Sequence, residues 1–231
     1  LDAFFFWRKP LAKLHIDPKR LPVDAIAGEP ALPAERLEVA WLRERLAHPP
    51  RWEPELPDDM RQRFPTLRRA AVLVPLIRRP DGLTVLLTQR TEHLSNHAGQ
   101  VSFPGGRAEE DDSSPIETAL RETEEEIGLT RRHVEIVGVL PDHVTASAYI
   151  VTPVVGLVTP PFDLTAESNE VADIFEVPLR FLMDGMNHQI MSFDLPEGAG
   201  RRSFYAMPYE RFFIWGATAG MLRNLFHLLR A

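Results

Sequence analysis

The stretch from Phe103 to Leu129, FPGGRAEEDDSSPIETALRETEEEIGL, constrains the chain more than any other. It joins a glycine turn to a helix carrying three acids along one edge. At about 3.6 residues per turn, Ile116, Ala119, Leu120, Thr123 and Ile127 share one side, the side a helix buries. Glu122 and Glu126 lie one turn apart on an edge of that stripe, and Glu125 completes an acidic cluster over roughly 100° of the helix. Pro115 suits a first helical turn, where its missing N–H costs nothing. Ser113 or Ser114 serves as N-cap and Gly128 as the C-terminal stop.

Such a cluster is unfavourable unless it binds something. Two carboxylates about 4 Å apart repel by roughly 4 kcal/mol at an effective dielectric near 20. A hard divalent cation turns that repulsion into attraction, and Mg²⁺ takes carboxylates together with substrate phosphates. Gly105-Gly106 lets a backbone turn sharply and come close. Acidic helix and glycine turn together read as a metal–diphosphate site. The competing reading, a solvated acidic helix face, applies to most Glu-rich helices.

Gly106 followed by Arg121-Glu122-x-x-Glu125-Glu126-x-Gly128-Leu129 resembles the Nudix box, the signature of hydrolases that cleave nucleoside diphosphates linked to another moiety. Asp112 follows Gly106 at the interval of the usual acid, but one extra residue separates it from Arg121, and Thr123 replaces an aliphatic residue. Either Asp111 or Asp112 is then the partner that helps hold Arg121. Upstream, Leu86-Leu87-Thr88-Gln89-Arg90 and His97-Ala98-Gly99-Gln100-Val101-Ser102-Phe103-Pro104-Gly105-Gly106 resemble the pattern of coenzyme A pyrophosphatases. That pattern carries serine or alanine where this chain has Thr91, and arginine where it has Ser95. Weaker likeness continues through Val151–Gly156, Glu170-Val171-Ala172 and Ile214–Ala219.

The resemblance implies an α/β fold, a Nudix-type α/β/α sandwich with a mixed sheet, and hydrolysis dependent on Mg²⁺ or Mn²⁺. Glu122 and Glu126 are the first metal ligands, and Glu125 is a third ligand or the base for the attacking water. Gly106 offers its carbonyl to the metal or lets the backbone pass close by. Arg121 orients the carboxylates, supported by Asp112. Arg90, His97, Phe103 and Gly105 are assigned to substrate. Glu167 or Glu170 reaches over the site as a further ligand or base. The implied substrate is coenzyme A or an acyl derivative, with an ADP-ribose or NADH diphosphatase as competitor and an idle nucleotide sensor as a third reading.

Composition excludes other classes. The formal net charge is −7 and no basic run is present, which argues against nucleic acid as partner. There is no cysteine, so disulfides, thiol nucleophiles and zinc–thiolate sites are out, and a cytoplasmic location is expected. No stretch approaches the roughly 18 apolar residues of a membrane span.

Residues 1–66 read as a proline-rich arm with one helix between Pro33 and His48, and 67–231 as the hydrolase domain. The aromatic run Phe4-Phe5-Phe6-Trp7 is expected to tuck against the core or a second subunit, so a homodimer is among the partners considered. Strands are expected at 70–77 and 83–88 as a hairpin around Pro80-Asp81-Gly82, and again at 100–103, 134–140, 149–158 and 170–177. Pro75 and Pro153 suggest edges or bulges. A short helix at 179–183 and a strand pair around Pro196-Glu197-Gly198 follow, and the last helix is expected from Phe213 to Leu229.

Overall fold

A computed structural model describes residues 16–55, 64, 66–93, 97–195 and 200–231. Phe4–Trp7, Ser95 and the turn at Pro196-Glu197-Gly198 lie outside the described residues. A mixed sheet of eight strands forms the centre. Strand β2 (Arg68–Arg79) runs parallel to β8 (Tyr149–Val158) along its whole length, from Arg68↔Tyr149 to Ile77↔Val158. Strand β3 (Gly82–Arg90) returns from β2 as the expected hairpin and pairs on its other edge with β9 (Val171–Pro178). The short strands β4 (Val101–Ser102) and β5 (Gly105–Arg107) add to β3 and β2, while β6 (Val134–Val139) and β7 (His143–Val144) add to β8.

Alternation along the central strands sends side chains to two opposite layers. Leu73, Ile77, Leu86, Val154 and Val158 pack with Ala119 and Ile127 of the acidic helix α2 (Pro115–Ile127). Val74, Leu76, Val85, Leu87, Val155 and Leu157 face the other way. They pack against Leu42 and Leu46 of α1 (Val39–Ala47) and Leu222, Leu225, Phe226 and Leu229 of α4 (Gly216–Arg230). The α/β/α sandwich follows directly from that division.

Both prolines occupy strands paired on two sides, not edges. Pro153 in β8 pairs with Val72 of β2, and it sits where the other neighbour changes from β6, ending at Val139↔Val154, to β7, starting at His143↔Val151. Its carbonyl accepts the Leu140 N–H at 2.9 Å. Pro75 sits where the neighbour of β2 changes from β5, ending at Val72↔Gly105, to β3, starting at Leu76↔Val85. A residue without an N–H is tolerated at such a handover because one partner strand has stopped and the next has not begun.

The N-terminal arm is more regular than expected. Strand β1 (Val23–Ile26) joins a second sheet of four strands, β1-β10-β11-β12, with β10 (Gln189–Asp194), β11 (Arg201–Tyr209) and β12 (Phe212–Trp215). The last helix begins later than its apolar stripe suggests. Phe212–Trp215 pair with Ala206–Tyr209 as a strand, and the helix starts only at Gly216, whose φ is +61°. The short helix α3 (Leu179–Leu182) links the two sheets.

Arg223 of α4, nearly fully buried, fastens the N-terminal segment to the domain. Its Nη1 donates to Glu29 Oε2 at 2.9 Å, and Nε and Nη2 each donate to Glu55 at 3.1 Å. Nη1 also donates to His188 Nδ1 at 3.1 Å. Glu29, Glu55 and His227 form an acid–histidine group whose ligand atoms lie within 4.8 Å of one another, but the guanidinium already supplies its cation.

Candidate active site

The helix α2 forms for local reasons. Ser114 Oγ accepts the Glu117 N–H at 3.3 Å, Pro115 stands in the first turn, and Gly128 closes the helix at φ +71° with its N–H on the Glu124 carbonyl. Thr123 is fully buried, and its hydroxyl donates to the Ala119 carbonyl at 2.6 Å. That bond satisfies the polar atom and explains how a threonine serves on the core stripe.

The three acids differ sharply in environment. Glu126 is 7% exposed. Its Oε2 accepts the Gly105 N–H at 3.0 Å, and Arg90 Nη1 lies 3.7 Å from Oε1, beyond hydrogen-bond reach. Burial, with the negative charges of Glu170 and Glu122 added, pushes its carboxyl up to about 7 despite those two partners. Glu122 is half-buried and is also raised, first by burial, with the charges of Glu125 and Glu170 adding to it. Glu125 has a 60% exposed side chain, tied to Arg121 Nη1 at 3.2 Å.

Arg121 organises this edge. Its Nε and Nη2 fork onto the two oxygens of Asp112 at 3.1 and 2.9 Å. Nη1 reaches Glu122 Oε1 at 3.0 Å as well as Glu125, and Nη2 also donates to the Arg107 carbonyl at 3.1 Å. Asp112 is the partner, not Asp111. It further accepts the Thr118 hydroxyl at 2.8 Å and the Glu109 N–H at 2.9 Å. The Arg121 guanidinium and these donors hold its carboxyl well below the usual range. The extra residue before Arg121 therefore leaves the acid–arginine pair intact.

The glycine turn is spatially required. A Cβ on Gly105, at φ +144°, would lie 2.5 Å from the Ala71 carbonyl oxygen and Val72 Cα, and one on Gly106 would lie 2.3 Å from Glu122 Oε2. Strand β5 thus lays its backbone directly on the acid cluster.

The remaining expectations divide. Glu170 lies close enough to raise both Glu122 and Glu126 electrostatically. Glu167 has its carboxylate oxygens engaged locally, by Asn169 and by the Glu170 N–H. Phe103 is 2% exposed and belongs to the core on the α4 side. His97 is exposed at φ +58°, its Nδ1 2.9 Å from Gln100 Oε1. Sequence reasoning missed Thr118, whose hydroxyl anchors Asp112, and Thr91, whose backbone and hydroxyl hold residues 169 and 170. Thr118 carries no spacing signal, and Thr91 stands at a position of the upstream pattern that gives no hint of its partners.

A divalent cation fits this donor set. Its donors are hard carboxylate oxygens, and the nearly buried Glu126 has one N–H as its hydrogen-bond donor, but among the described residues the acid and histidine ligand atoms found within 4.8 Å of one another are those of Glu29, Glu55 and His227. Residues 67–190 match the NUDIX domain family, and the chain belongs to it. It is a hydrolase of pyrophosphate bonds, in a family that uses divalent metal ions such as Mg²⁺ or Mn²⁺.

A relative from Escherichia coli strain K12, the uncharacterized Nudix hydrolase NudL, is 42% identical over 181 residues, which is 73% of this chain and 92% of the relative. Its counterpart in strain E24377A is 45% identical over 160 residues, 68% of this chain and 81% of the relative. Among solved structures, the MutT protein from Methanosarcina mazei Go1 is 25% identical with a TM-score of 0.41, over 51% of this chain and 82% of that one. No helix among the described residues is long and apolar enough to cross a membrane.

Proposed function

We propose that the protein hydrolyses the diphosphate of coenzyme A or an acyl-CoA, releasing adenosine 3′,5′-bisphosphate and 4′-phosphopantetheine, in the cytoplasm. The observation that carries the site is the buried Glu126 carboxylate beside Glu122 and Glu170, a concentration of negative charge that a cation relieves. Support for the substrate comes from the run Leu86–Gly106, which resembles the coenzyme A pyrophosphatase pattern and ends on the turn that contacts Glu126.

Glu122 and Glu126 are the assigned ligands, with Glu125 the third and the Gly106 carbonyl beside them. A bound Mg²⁺ or Mn²⁺ supplies charge neutralisation of the diphosphate oxygens and orientation of a water. Arg121, fixed by Asp112, keeps Glu122 and Glu125 pointed at the site. Arg90, loosely paired with Glu126, is free to meet phosphate charge. We assign the base to Glu170, because its carboxylate accepts no hydrogen bond among the described residues, whereas that of Glu125 is held by Arg121. The water oxygen bonds to one phosphorus, its proton passes to Glu170, and the bridging P–O bond breaks with its electron pair going to the departing phosphate. His97 and the Gly105 turn are assigned to the rim of the substrate site.

An ADP-ribose or NADH diphosphatase is the second reading, favoured by Ser95 where the coenzyme A pattern carries arginine. Hydrolysis of coenzyme A, ADP-ribose and NADH side by side with Mg²⁺, Mn²⁺ or EDTA, with products read by mass, separates the two. Metal-dependent release of phosphopantetheine with coenzyme A preferred is the expected result. Preference for ADP-ribose moves the specificity and keeps the chemistry. Metal binding without turnover of any of the three points to a sensor.

A further inference from the structure

Two acids at 167 and 170 stand near the cluster, and they differ in what their side chains do. The Glu167 carboxylate faces its own turn. Oε2 accepts the Asn169 N–H at 3.1 Å and the Glu170 N–H at 3.0 Å, and Oε1 accepts Asn169 Nδ2 at 2.7 Å. The Glu167 carbonyl takes two further bonds, from the Glu170 N–H at 3.0 Å and the Val171 N–H at 2.8 Å. This closes residues 167–170 into a turn in which Glu167 supplies both a backbone and a side-chain cap.

The turn is clamped at both ends. On the helix side, the Glu167 N–H donates to the carbonyl of Glu126 at 2.8 Å and the Thr165 N–H to that of Ile127 at 2.9 Å, using orphan carbonyls at the end of α2. On the strand side, the Thr91 N–H donates to the Glu170 carbonyl at 3.0 Å, and the Thr91 hydroxyl to the Asn169 carbonyl at 2.9 Å. Thr91 is buried, directly after β3. The backbone of Glu170 is therefore bonded at both its N–H and its carbonyl, and its charge is near enough to act on Glu122 and Glu126.

We propose that Glu167 is a positioning residue, whose carboxylate sets the reach of Glu170 over the metal cluster, and that Thr91 is its counterpart from the strand side. The proposal rests on the assignment of Glu170 as the base. Glu167 is on this view neither a ligand nor a base, because its oxygens are spent on the turn. The same bonds are within reach of an aspartate, whose shorter side chain caps the N–H groups two and three residues on.

The test is a double-substitution cycle on the full chain, with whichever diphosphate substrate it turns over. Glu167→Ala is expected to lower kcat by about tenfold, leaving KM and the Mn²⁺ concentration for half-maximal rate within about twofold. Glu167→Asp is expected to recover most of the loss. In a Glu170→Gln background, Glu167→Ala is expected to change the residual kcat by less than about twofold, because the group it positions is gone. Equal losses in the two backgrounds would mean a general structural role and overturn the proposal, as would a raised Mn²⁺ requirement, which would make Glu167 a ligand. Full kcat in Glu170→Gln would remove the base assignment itself, an outcome distinct from additivity. Should Glu167→Ala fail to fold, Thr91→Val takes its place in the cycle with the same expected pattern.

Discussion

Glu122 occupies the space where a side chain on Gly106 would begin, its Oε2 only 2.3 Å from an ideal Cβ. The obstacle is the far end of a flexible side chain, so Gly106→Ala is expected to fold and to push the carboxylate aside. Metal affinity should fall about 10- to 100-fold, as for other disturbances of ligand orientation. Gly105→Ala should fail differently, because the added carbon meets the Ala71 and Val72 backbone from a glycine-only φ. Thermal melts with Mn²⁺ titrations distinguish the two. A destabilised Gly106→Ala with normal metal affinity would contradict this account.

Asp112→Asn is expected to cost about 1–3 kcal/mol, because it weakens the fork that holds Arg121 and leaves a neutral partner for a half-buried guanidinium. Activity should fall with it as Glu122 and Glu125 lose their orientation. Asp111→Asn, at an exposed neighbour, should change neither. Denaturant unfolding and turnover of the pair provide the check, and equal effects at both positions would break the assignment.

Glu126→Gln is expected to abolish most turnover, by orders of magnitude, yet to stabilise the metal-free protein at alkaline pH. The carboxyl is raised from 4.5 to about 7 in the folded protein. Its contribution to stability is therefore present below about pH 4.5 and is lost as pH rises through 7. The glutamine removes that loss, a gain of about 1–3 kcal/mol at pH 8. Because a metal must displace the same proton, Mn²⁺ should raise the melting temperature of the native chain more at pH 8 than at pH 6. Parallel stability–pH curves for the native and Glu126→Gln proteins would rule out the buried charge as the cause.

His143 should make the protein acid-sensitive from the other direction. Burial, and the charge of Arg202, lower it from 6.5 to about 4, and its Nδ1 has no hydrogen-bond partner among the described residues. Its contribution is intact above about pH 6.5 and is lost as pH falls towards 4, up to about 3 kcal/mol. His143→Gln should flatten the stability curve between those limits, as followed by chemical denaturation at a series of pH values. An unchanged slope would assign the acid sensitivity to His188, the other strongly buried and lowered histidine.

Much of the acidic helix was legible because its signals are local. The apolar period, Ser114, Pro115 and Gly128 all lie within the segment they shape, and the helix observed at Pro115–Ile127 uses each of them. The hairpin at 68–90 was readable for the same reason. Pro75 and Pro153 misled because edge position is a property of the sheet, not of the strand. The start of the last helix misled because Phe212–Trp215 is apolar enough for either period, and pairing with β11 decided the matter. That Phe103 packs into the core on the α4 side was not readable from its motif, because the motif is contiguous in sequence while its residues join different parts of the fold.

The sequence by itself determined that three carboxylates share a helix edge beside a glycine turn. Only the tertiary structure decided what each carboxylate is. The Gly105 N–H, the Arg90 side chain and the charge of Glu170 come to Glu126 from three separate segments, and burial raises Glu126, and Glu122 with it, while the Glu125 side chain, one residue before Glu126, stays mostly in water. Helical spacing is set by bonds within a few residues. Desolvation and charge coupling depend on which distant segments pack above them, and that is a property of the whole fold.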